Sequence, residues 1–166
     1  FADTNLSDGV TYTTRARATD AAGNVTSPVA SRSATYDTAA PTVSGRPVNG
    51  STLTVAYNET VSGSPATSDY SVVVNGSGRG VSSVSVSGTS ATLTLASAVL
   101  NGDTVTVAYS GSAGVDAAGN AAATFGASAV TNSTANQNPS TPALVSPANG
   151  AFLATTTPTL TATFSD

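Results

Sequence analysis

Apolar and polar residues alternate with a period of two along most of this chain, and this alternation constrains its fold more than any other feature. In residues 9–18, for example, Val10, Tyr12 and Ala16 fall on one face of an extended segment and Arg15 falls on the other. Strands place successive side chains on opposite faces, whereas amphipathic helices repeat every three to four residues. The helical period is absent, so the chain is predicted to consist of half-buried β-strands.

Turn sequences divide the alternating segments. Asn-Gly pairs such as Asn49-Gly50 and Asn101-Gly102 supply the positive φ angles that tight hairpins require. Short strands at this density are typical of a β-sandwich, so we predict an all-β fold of tandem immunoglobulin-like or fibronectin-III-like sandwiches, one complete and two partial. The predicted strands are residues 9–18, 29–36, 51–58, 70–75, 81–87, 89–96, 104–109, 122–130, 143–146 and 159–164.

The composition excludes several kinds of chemistry. The chain has no Cys and no His, so it lacks disulfides, thiolate nucleophiles, a Ser-His-Asp triad and His-ligated zinc. Its basic residues are five arginines, too few for a nucleic-acid-binding face, and no apolar run approaches the ~20 residues of a membrane span. Glu59 and Asp69 could be considered an acid/base pair of a glycosidase, but we interpret Glu59 as a solvated surface residue. We therefore expect no enzymatic activity.

The composition also indicates where the protein is located. The absence of Lys and Met and the sequence pI of about 4.3 fit a secreted or surface-exposed protein. Aromatic residues make up 5% of the chain, so any core is thin and suits a narrow two-sheet sandwich better than a globule with a deep pocket.

The pentapeptide Asp-Ala-Ala-Gly-Asn occurs twice, at residues 20–24 and again 96 positions later at 116–120. Both copies follow an alternating strand, and the spacing equals one sandwich plus a short linker. We therefore expect the chain to be a segment of a protein built from tandem repeats. The predicted boundaries are the C-terminal part of one domain at 1–41, a complete sandwich at 42–134, a linker at 135–141 and the N-terminal part of a further domain at 142–166.

Several motifs, taken in order, resemble a known family. The chain between residues 42 and 134 resembles the SWM-type repeat, a flagellar-system-associated repeat of large bacterial surface proteins. The segments that carry this resemblance are 53–59, 70–76, 84–88, 91–95, 102–109 and 116–120. The N-terminal piece resembles the end of a bacterial Ig-like adhesin repeat, and residues 142–151 resemble the opening of an Ig-like or fibronectin-III module. The resemblance implies extracellular stalks, adhesins and filaments, without catalysis.

The same resemblance implies calcium sites at the junctions between repeats. Related adhesin repeats bind Ca²⁺ through this pentapeptide turn and an Asp in the following linker, and Ca²⁺ takes six to eight oxygen ligands. The alternative is that each pentapeptide is an ordinary β-turn capped by its own Asp. The second junction has Asn132 and Asn136 where an Asp is expected. The candidate ligands are Asp20, Asn24 and Asp37 at the first junction, and Asp116 and Asn120 at the second.

The functional expectation is a structural segment of an extracellular repeat protein on the bacterial cell surface or secreted. It would serve as a stalk, an adhesin segment or a filament or sheath subunit. Its partners would be neighbouring Ig-like modules of the same or identical chains, including self-assembly into a fibre. The alternative is a module that binds carbohydrate or a cell-surface receptor, which requires an exposed aromatic platform. The tyrosines available for one are Tyr12, Tyr36, Tyr57, Tyr70 and Tyr109.

Overall fold

A computed structural model describes residues 5–27, 29–137 and 141–163. Within these ranges the chain forms β-strands and a single turn of 3-10 helix at Thr67–Asp69, which confirms the predicted all-β fold. None of the described segments is a helix of the length and apolar character that a membrane crossing requires. The strands are β1 Val10–Ala16, β2 Ala30–Tyr36, β3 Val43–Gly45, β4 Pro47–Asn49, β5 Thr52–Tyr57, β6 Ser62–Gly63, β7 Tyr70–Val74, β8 Ser77–Arg79, β9 Val81–Ser87, β10 Ser90–Leu95, β11 Val105–Tyr109, β12 Gly114–Val115, β13 Phe125–Ala129, β14 Thr131–Asn132, β15 Ala143–Ser146 and β16 Thr161–Thr163.

Two sheets enclose the principal core. The larger has the strand order β14-β4-β5-β10-β9, with β3 also paired to β5, and the smaller has the order β13-β11-β7-β8. Their pairings are antiparallel except for β14, which runs parallel to β4. Apolar residues from both sheets form one continuous cluster, so the sheets pack as two layers.

The predicted core positions are confirmed. In β5, Leu53 and Val55 are fully buried, and in β11 Val107 is fully buried. Along β10 and β11, buried positions alternate with half-buried or exposed ones, as a sheet with one face against a core requires. The alternation within the predicted strands assigns ten residues to the core of the complete sandwich, and all ten are buried: Leu53, Val55, Tyr57, Val72, Val74, Leu93, Leu95, Val105, Val107 and Tyr109.

The two terminal pieces form separate two-stranded sheets. Strands β1 and β2 pair antiparallel with Val10 opposite Tyr36 and Ala16 opposite Ala30. Strands β15 and β16 pair antiparallel with Leu144 opposite Ala162. Neither hairpin contributes a residue to the buried core of the described chain.

The longer strands agree with the prediction, but the short ones were not predicted. Strands β3, β4, β6, β8, β12 and β14 are two or three residues long, and pairing with distant segments defines them. The strand predicted at 122–130 begins only at Phe125. Phe164 of the last predicted strand and residues 138–140 of the predicted linker lie outside the described residues.

Candidate metal centre

The two pentapeptide turns have the same internal hydrogen bonds. In the first, Asp20 Oδ1 accepts bonds from the backbone N–H groups of Ala22 at 2.9 Å and Asn24 at 2.8 Å. In the second, Asp116 Oδ1 accepts from Ala118 at 2.8 Å and Asn120 at 2.9 Å. The side-chain amide of each Asn donates to the other carboxylate oxygen at 2.8 Å. Each turn is therefore complete without a ligand.

The surroundings of the two turns differ. Asp20 and Asn24 are exposed, whereas the Asp116 side chain is only 4% exposed and Asn120 is half-buried. The Asn120 side-chain amide also donates to the main-chain carbonyl oxygen of Asp37 at 3.1 Å. The second turn is thus fastened to the segment that joins β2 to β3.

Three carboxylates converge at this place. One oxygen each from Asp37, Glu59 and Asp116 lies within 4.8 Å of the others. Asp37 follows β2, Glu59 follows β5 and Asp116 begins the second pentapeptide turn. Three segments far apart in sequence therefore meet where the β1–β2 hairpin joins the two-sheet unit, and we call these three residues the junction cluster.

Backbone pairing positions Glu59 in the cluster. Strand β3 pairs with β5 with Val43 opposite Tyr57. Beyond that pair, the Asn58 N–H donates to the carbonyl of Thr42 at 2.9 Å, and the Thr42 N–H donates to Asn58 Oδ1 at 2.7 Å. These bonds hold the end of β5 against the segment that follows Asp37.

Within the cluster, the pKa values of Glu59 and Asp116 are shifted in opposite directions. Partial burial raises the pKa of Glu59, and the nearby charges of Asp116, Asp37 and Asp8 raise it further. Burial alone would raise the pKa of Asp116, but the hydrogen bonds from Asn120 and the turn outweigh it and lower that pKa overall. Asp116 is therefore held as an anion, and its charge makes ionisation of Glu59 less favourable.

The donor set fits a hard divalent cation. Carboxylate oxygens are the ligands that Ca²⁺ prefers, and three carboxylates supply enough charge for such a site, with the remaining positions open to carbonyl groups or water. Asp37 uses one carboxylate oxygen to accept from the Ala39 N–H at 3.0 Å. No hydrogen bond within the described residues engages the Glu59 carboxylate. Its lone pairs are therefore free for a cation.

The structure groups the candidate residues differently from the sequence analysis. Asp37, assigned there to the first junction, lies with Asp116 and Asn120 of the second. Asn132, considered as a replacement for an expected Asp, instead donates to the carbonyl oxygens of Leu100 at 2.8 Å and Asp103 at 3.1 Å. Asn136 is exposed beside another depression. Glu59, interpreted from the sequence as a solvated surface residue, is instead half-buried in this cluster, and its position in the sequence gave no signal of that.

The residues weighed for other functions take structural places. Asp69, considered as a catalytic partner of Glu59, accepts from the Ala66 N–H at 2.9 Å and so closes the 3-10 turn. Tyr57, Tyr70 and Tyr109 are buried in the core, and burial raises the pKa of each. Tyr12 is half-buried and Tyr36 is exposed. The tyrosines in this structure thus do not form the aromatic platform expected of a carbohydrate-binding module.

Two solved structures are similar to this chain. One is the crystal structure of the N-terminal part of the bacterial S-layer protein SbsC, with 24% sequence identity and a TM-score of 0.49. The other is the S-layer protein rSbsC(31-844), with 26% identity and a TM-score of 0.47. Each similarity covers 64% of this chain, and it spans only 26% and 15% of those two chains respectively.

Among curated proteins, no relative matches this chain. A family model does match it, over residues 36–114, just under half of the chain. The matched segment begins beside Asp37 and includes Glu59, so it spans two residues of the junction cluster. The central part of this chain therefore matches the family described as "putative flagellar system-associated repeat", which confirms the resemblance to a bacterial surface repeat predicted from the sequence.

Proposed function

We propose that this chain is a non-catalytic structural segment of an extracellular repeat protein of the bacterial surface, a part of a stalk, adhesin or filament. In this proposal, Ca²⁺ bound by Asp37, Glu59 and Asp116 stiffens the joint between successive modules. The observation that carries the proposal is the convergence of three carboxylates from three separate segments at that joint. The match of residues 36–114 to a flagellar-system-associated repeat supports it.

A cation at the joint would change its mechanics. With no cation, three like charges within a few ångströms repel one another, and this repulsion adds to the effect of burial in raising the pKa of Glu59. A bound divalent ion turns the repulsion into attraction and links the segment after β2 to the end of β5 and to the second pentapeptide turn. An extended surface protein needs such stiff joints to hold its modules in line.

The outer faces fit a structural role as well. On the polar face of the β1–β2 hairpin, Thr11 and Thr35 share a hydroxyl hydrogen bond of 2.8 Å, and so do Thr13 and Ser33. Such hydroxyl pairs across strands stabilise a sheet and keep its surface hydrated, and Arg15 is the charged residue of β1 on this face. A surface of this kind can lie beside neighbouring modules with few ions to desolvate.

Calcium titration tests the proposal. Isothermal calorimetry of the metal-free chain is expected to show one Ca²⁺ site with a Kd of about 10⁻⁴ to 10⁻³ M, the range of extracellular modules. At tenfold excess over Kd the ion would stabilise the fold by about 1.4 kcal/mol, so the melting temperature should rise and return on adding chelator.

Variants sharpen the test. Glu59→Gln removes one carboxylate of the cluster and should abolish the calorimetric signal, while Asp103→Asn, which changes an acidic residue outside the cluster, should leave it unchanged. Absence of any heat or melting shift with Ca²⁺ in the unchanged chain would remove calcium from the proposal. If Glu59→Gln and Asp103→Asn gave the same calorimetric signal, the ion would bind somewhere other than the junction cluster.

A further inference from the structure

The chain enters and leaves the two-sheet unit at opposite ends of one sheet edge. Strands β3 and β4 lie along β5, from Val43 opposite Tyr57 to Asn49 opposite Thr52, so the chain enters at the Tyr57 end of β5. Strand β14 lies on the other side of β4 and runs in the same direction, so the chain leaves at the Thr52 end. Because the sequence continues before β3 and after β14, any tension along the chain crosses the unit between these two ends.

A short parallel pair joins the entering segment to the leaving segment. It is the one parallel pairing among the described strands, and it consists of β4 and β14. The Thr131 N–H donates to the carbonyl of Arg46 at 2.9 Å, and the Ser133 N–H donates to the carbonyl of Val48 at 2.8 Å. The first and last strands of the unit are therefore bonded directly to each other.

Side chains extend this pair beyond β14. The Gly50 N–H donates to the hydroxyl oxygen of Thr134 at 2.9 Å. The carbonyl of Thr134 accepts from the Asn101 side-chain amide at 2.9 Å, and the Asn132 amide donates to the carbonyl of Leu100 at 2.8 Å. The leaving segment is thus fixed both to the end of β4 and to the turn that precedes β11.

Tension along the chain loads this pair in shear. Tension from the N-terminal side pulls β4 toward its start, and tension from the C-terminal side pulls β14 toward its end. Because the two strands run in the same direction, the two pulls oppose each other along the strand axis, across the hydrogen bonds. The bonds then share the load and break together, whereas a pair pulled apart from one end loses its bonds one at a time. We call residues 46–50 with residues 131–134 the edge clamp.

The edge clamp is backed by the buried core. Val48 is 1% exposed, and Val130, directly before β14, packs against the buried cluster. The Val130 N–H donates to the carbonyl of Val105 in the smaller sheet at 2.9 Å. Hydrogen bonds beside a water-poor interior are electrostatically stronger than those in water. The clamp is therefore better protected than a fully exposed pair of strands.

We propose that the edge clamp bears the mechanical load on the two-sheet unit, and that its rupture is the barrier to forced unfolding. The function assigned to it is resistance to tension along the chain, which goes beyond a structural role in general. It does not depend on calcium, because the residues of the edge clamp and of the junction cluster are different.

Two pulling directions test the proposal on the whole chain. The chain has no Cys, so pairs of introduced cysteines can carry the handles of a single-molecule force experiment, with a chelator present. Ala39→Cys with Ala135→Cys loads the clamp in shear, whereas Thr52→Cys with Ala135→Cys pulls at one end of the sheet, and all three side chains are exposed. At the same force, unfolding in shear should be at least about tenfold slower, because several hydrogen bonds must break together.

Two substitutions weaken the clamp itself. Ser133→Pro removes the N–H that bonds the Val48 carbonyl, and Thr134→Val removes the hydroxyl that bonds the Gly50 N–H. In the shear direction, each should raise the rate of unfolding at a fixed force about fivefold or more. Urea unfolding of each variant verifies that it folds, and the comparison of pulling directions decides the proposal if Ser133→Pro does not.

A matched variant controls for the loss of a hydroxyl. The hydroxyl of Thr104 donates to the Asn75 side-chain oxygen at 3.1 Å, outside the clamp, so Thr104→Val should unfold under load as slowly as the unchanged chain. Equal unfolding rates in the two pulling directions would overturn the proposal. It would also be overturned if Thr104→Val accelerated forced unfolding as much as Thr134→Val did.

Discussion

The side-chain amide of Asn120 donates a hydrogen bond of 3.1 Å to the main-chain carbonyl oxygen of Asp37, 83 residues away in sequence. The same amide donates to the Asp116 carboxylate at 2.8 Å. One side chain thus closes its own turn and fastens that turn to the segment leading into the two-sheet unit. The junction cluster lies at the same joint.

Loss of this amide should destabilise the chain more than loss of its counterpart in the first turn. We expect Asn120→Ala to cost about 1–3 kcal/mol, because it leaves the partly buried Asp37 carbonyl without a partner. Asn24→Ala removes the same bond within a turn but none to another segment, so it should cost less. Urea unfolding of both variants checks the difference, and equal costs would show that the bond to Asp37 contributes nothing.

The two pentapeptide aspartates form a second matched pair. Asp20→Asn and Asp116→Asn disturb the same turn bonds, but only Asp116 belongs to the junction cluster. We expect the gain in melting temperature on adding Ca²⁺ to survive in Asp20→Asn and to disappear in Asp116→Asn. Differential scanning calorimetry with and without chelator measures it. A calcium response retained in Asp116→Asn would exclude that carboxylate as a ligand.

Leu53 and Leu160 occupy the same position in two similar sequences, Thr-Leu-Thr-Val at 52–55 and Thr-Leu-Thr-Ala at 159–162, but they should differ strongly in their contribution to stability. Leu53 is fully buried, so Leu53→Ala should cost about 2–5 kcal/mol through lost burial and the cavity left behind. Leu160, its sequence counterpart, is exposed, and Leu160→Ala in dilute monomeric protein should change the free energy of unfolding by less than about 0.5 kcal/mol. Thermal melts at low concentration compare the two. Similar losses would mean that residue 160 is covered within the monomer.

Asp103 should stabilise the chain near neutral pH and lose this contribution in acid. The Leu100 N–H donates to its carboxylate at 2.8 Å and the Asn75 amide donates at 2.6 Å, and these bonds lower the pKa of Asp103 below its ordinary 3.8. A lowered folded-state pKa means that the bonds stabilise the fold above pH ~3.8 and that this contribution is lost as pH falls further.

The Asn variant isolates this effect. Asp103→Asn should be less stable than the unchanged chain at pH 6, and the difference should shrink as pH falls through the window below ~3.8. Urea midpoints measured from pH 6 to pH 2 follow it. A constant difference between Asp103→Asn and the unchanged chain across the whole range would contradict the assignment.

Local sequence patterns were sufficient to predict the long strands and the core residues. Strand β9 lies at the predicted residues 81–87, because Val81, Val84 and Val86 stand among serines between two glycines and show no helical period, although two adjacent serines interrupt the alternation after Val81. The short strands could not be read in this way. Strand β4, for example, is three residues long and exists because Val48 pairs with Leu53 on one side and with Asn132 on the other. Such pairings depend on where distant segments lie.

The candidate site divides along the same line. The pentapeptide turns could be predicted, since Asp, Gly and Asn at those spacings satisfy their own backbone groups locally. The position of Glu59 beside Asp37 could not be predicted. It follows from the pairing of β3 with β5, and the residues that form this pairing are not acidic. A lone Glu in sequence is a surface residue by default.

The sequence by itself determined the all-β class, the identity of the core residues and the two pentapeptide turns, because each rests on side chains within a few positions of one another. Only the tertiary structure decided that Asp37, Glu59 and Asp116 share one place, and that Leu53 is buried while Leu160 is exposed. The physical reason is that clustering of charges and burial of an apolar side chain depend on what the rest of the chain places opposite them. Similar local sequences can therefore lie in different environments.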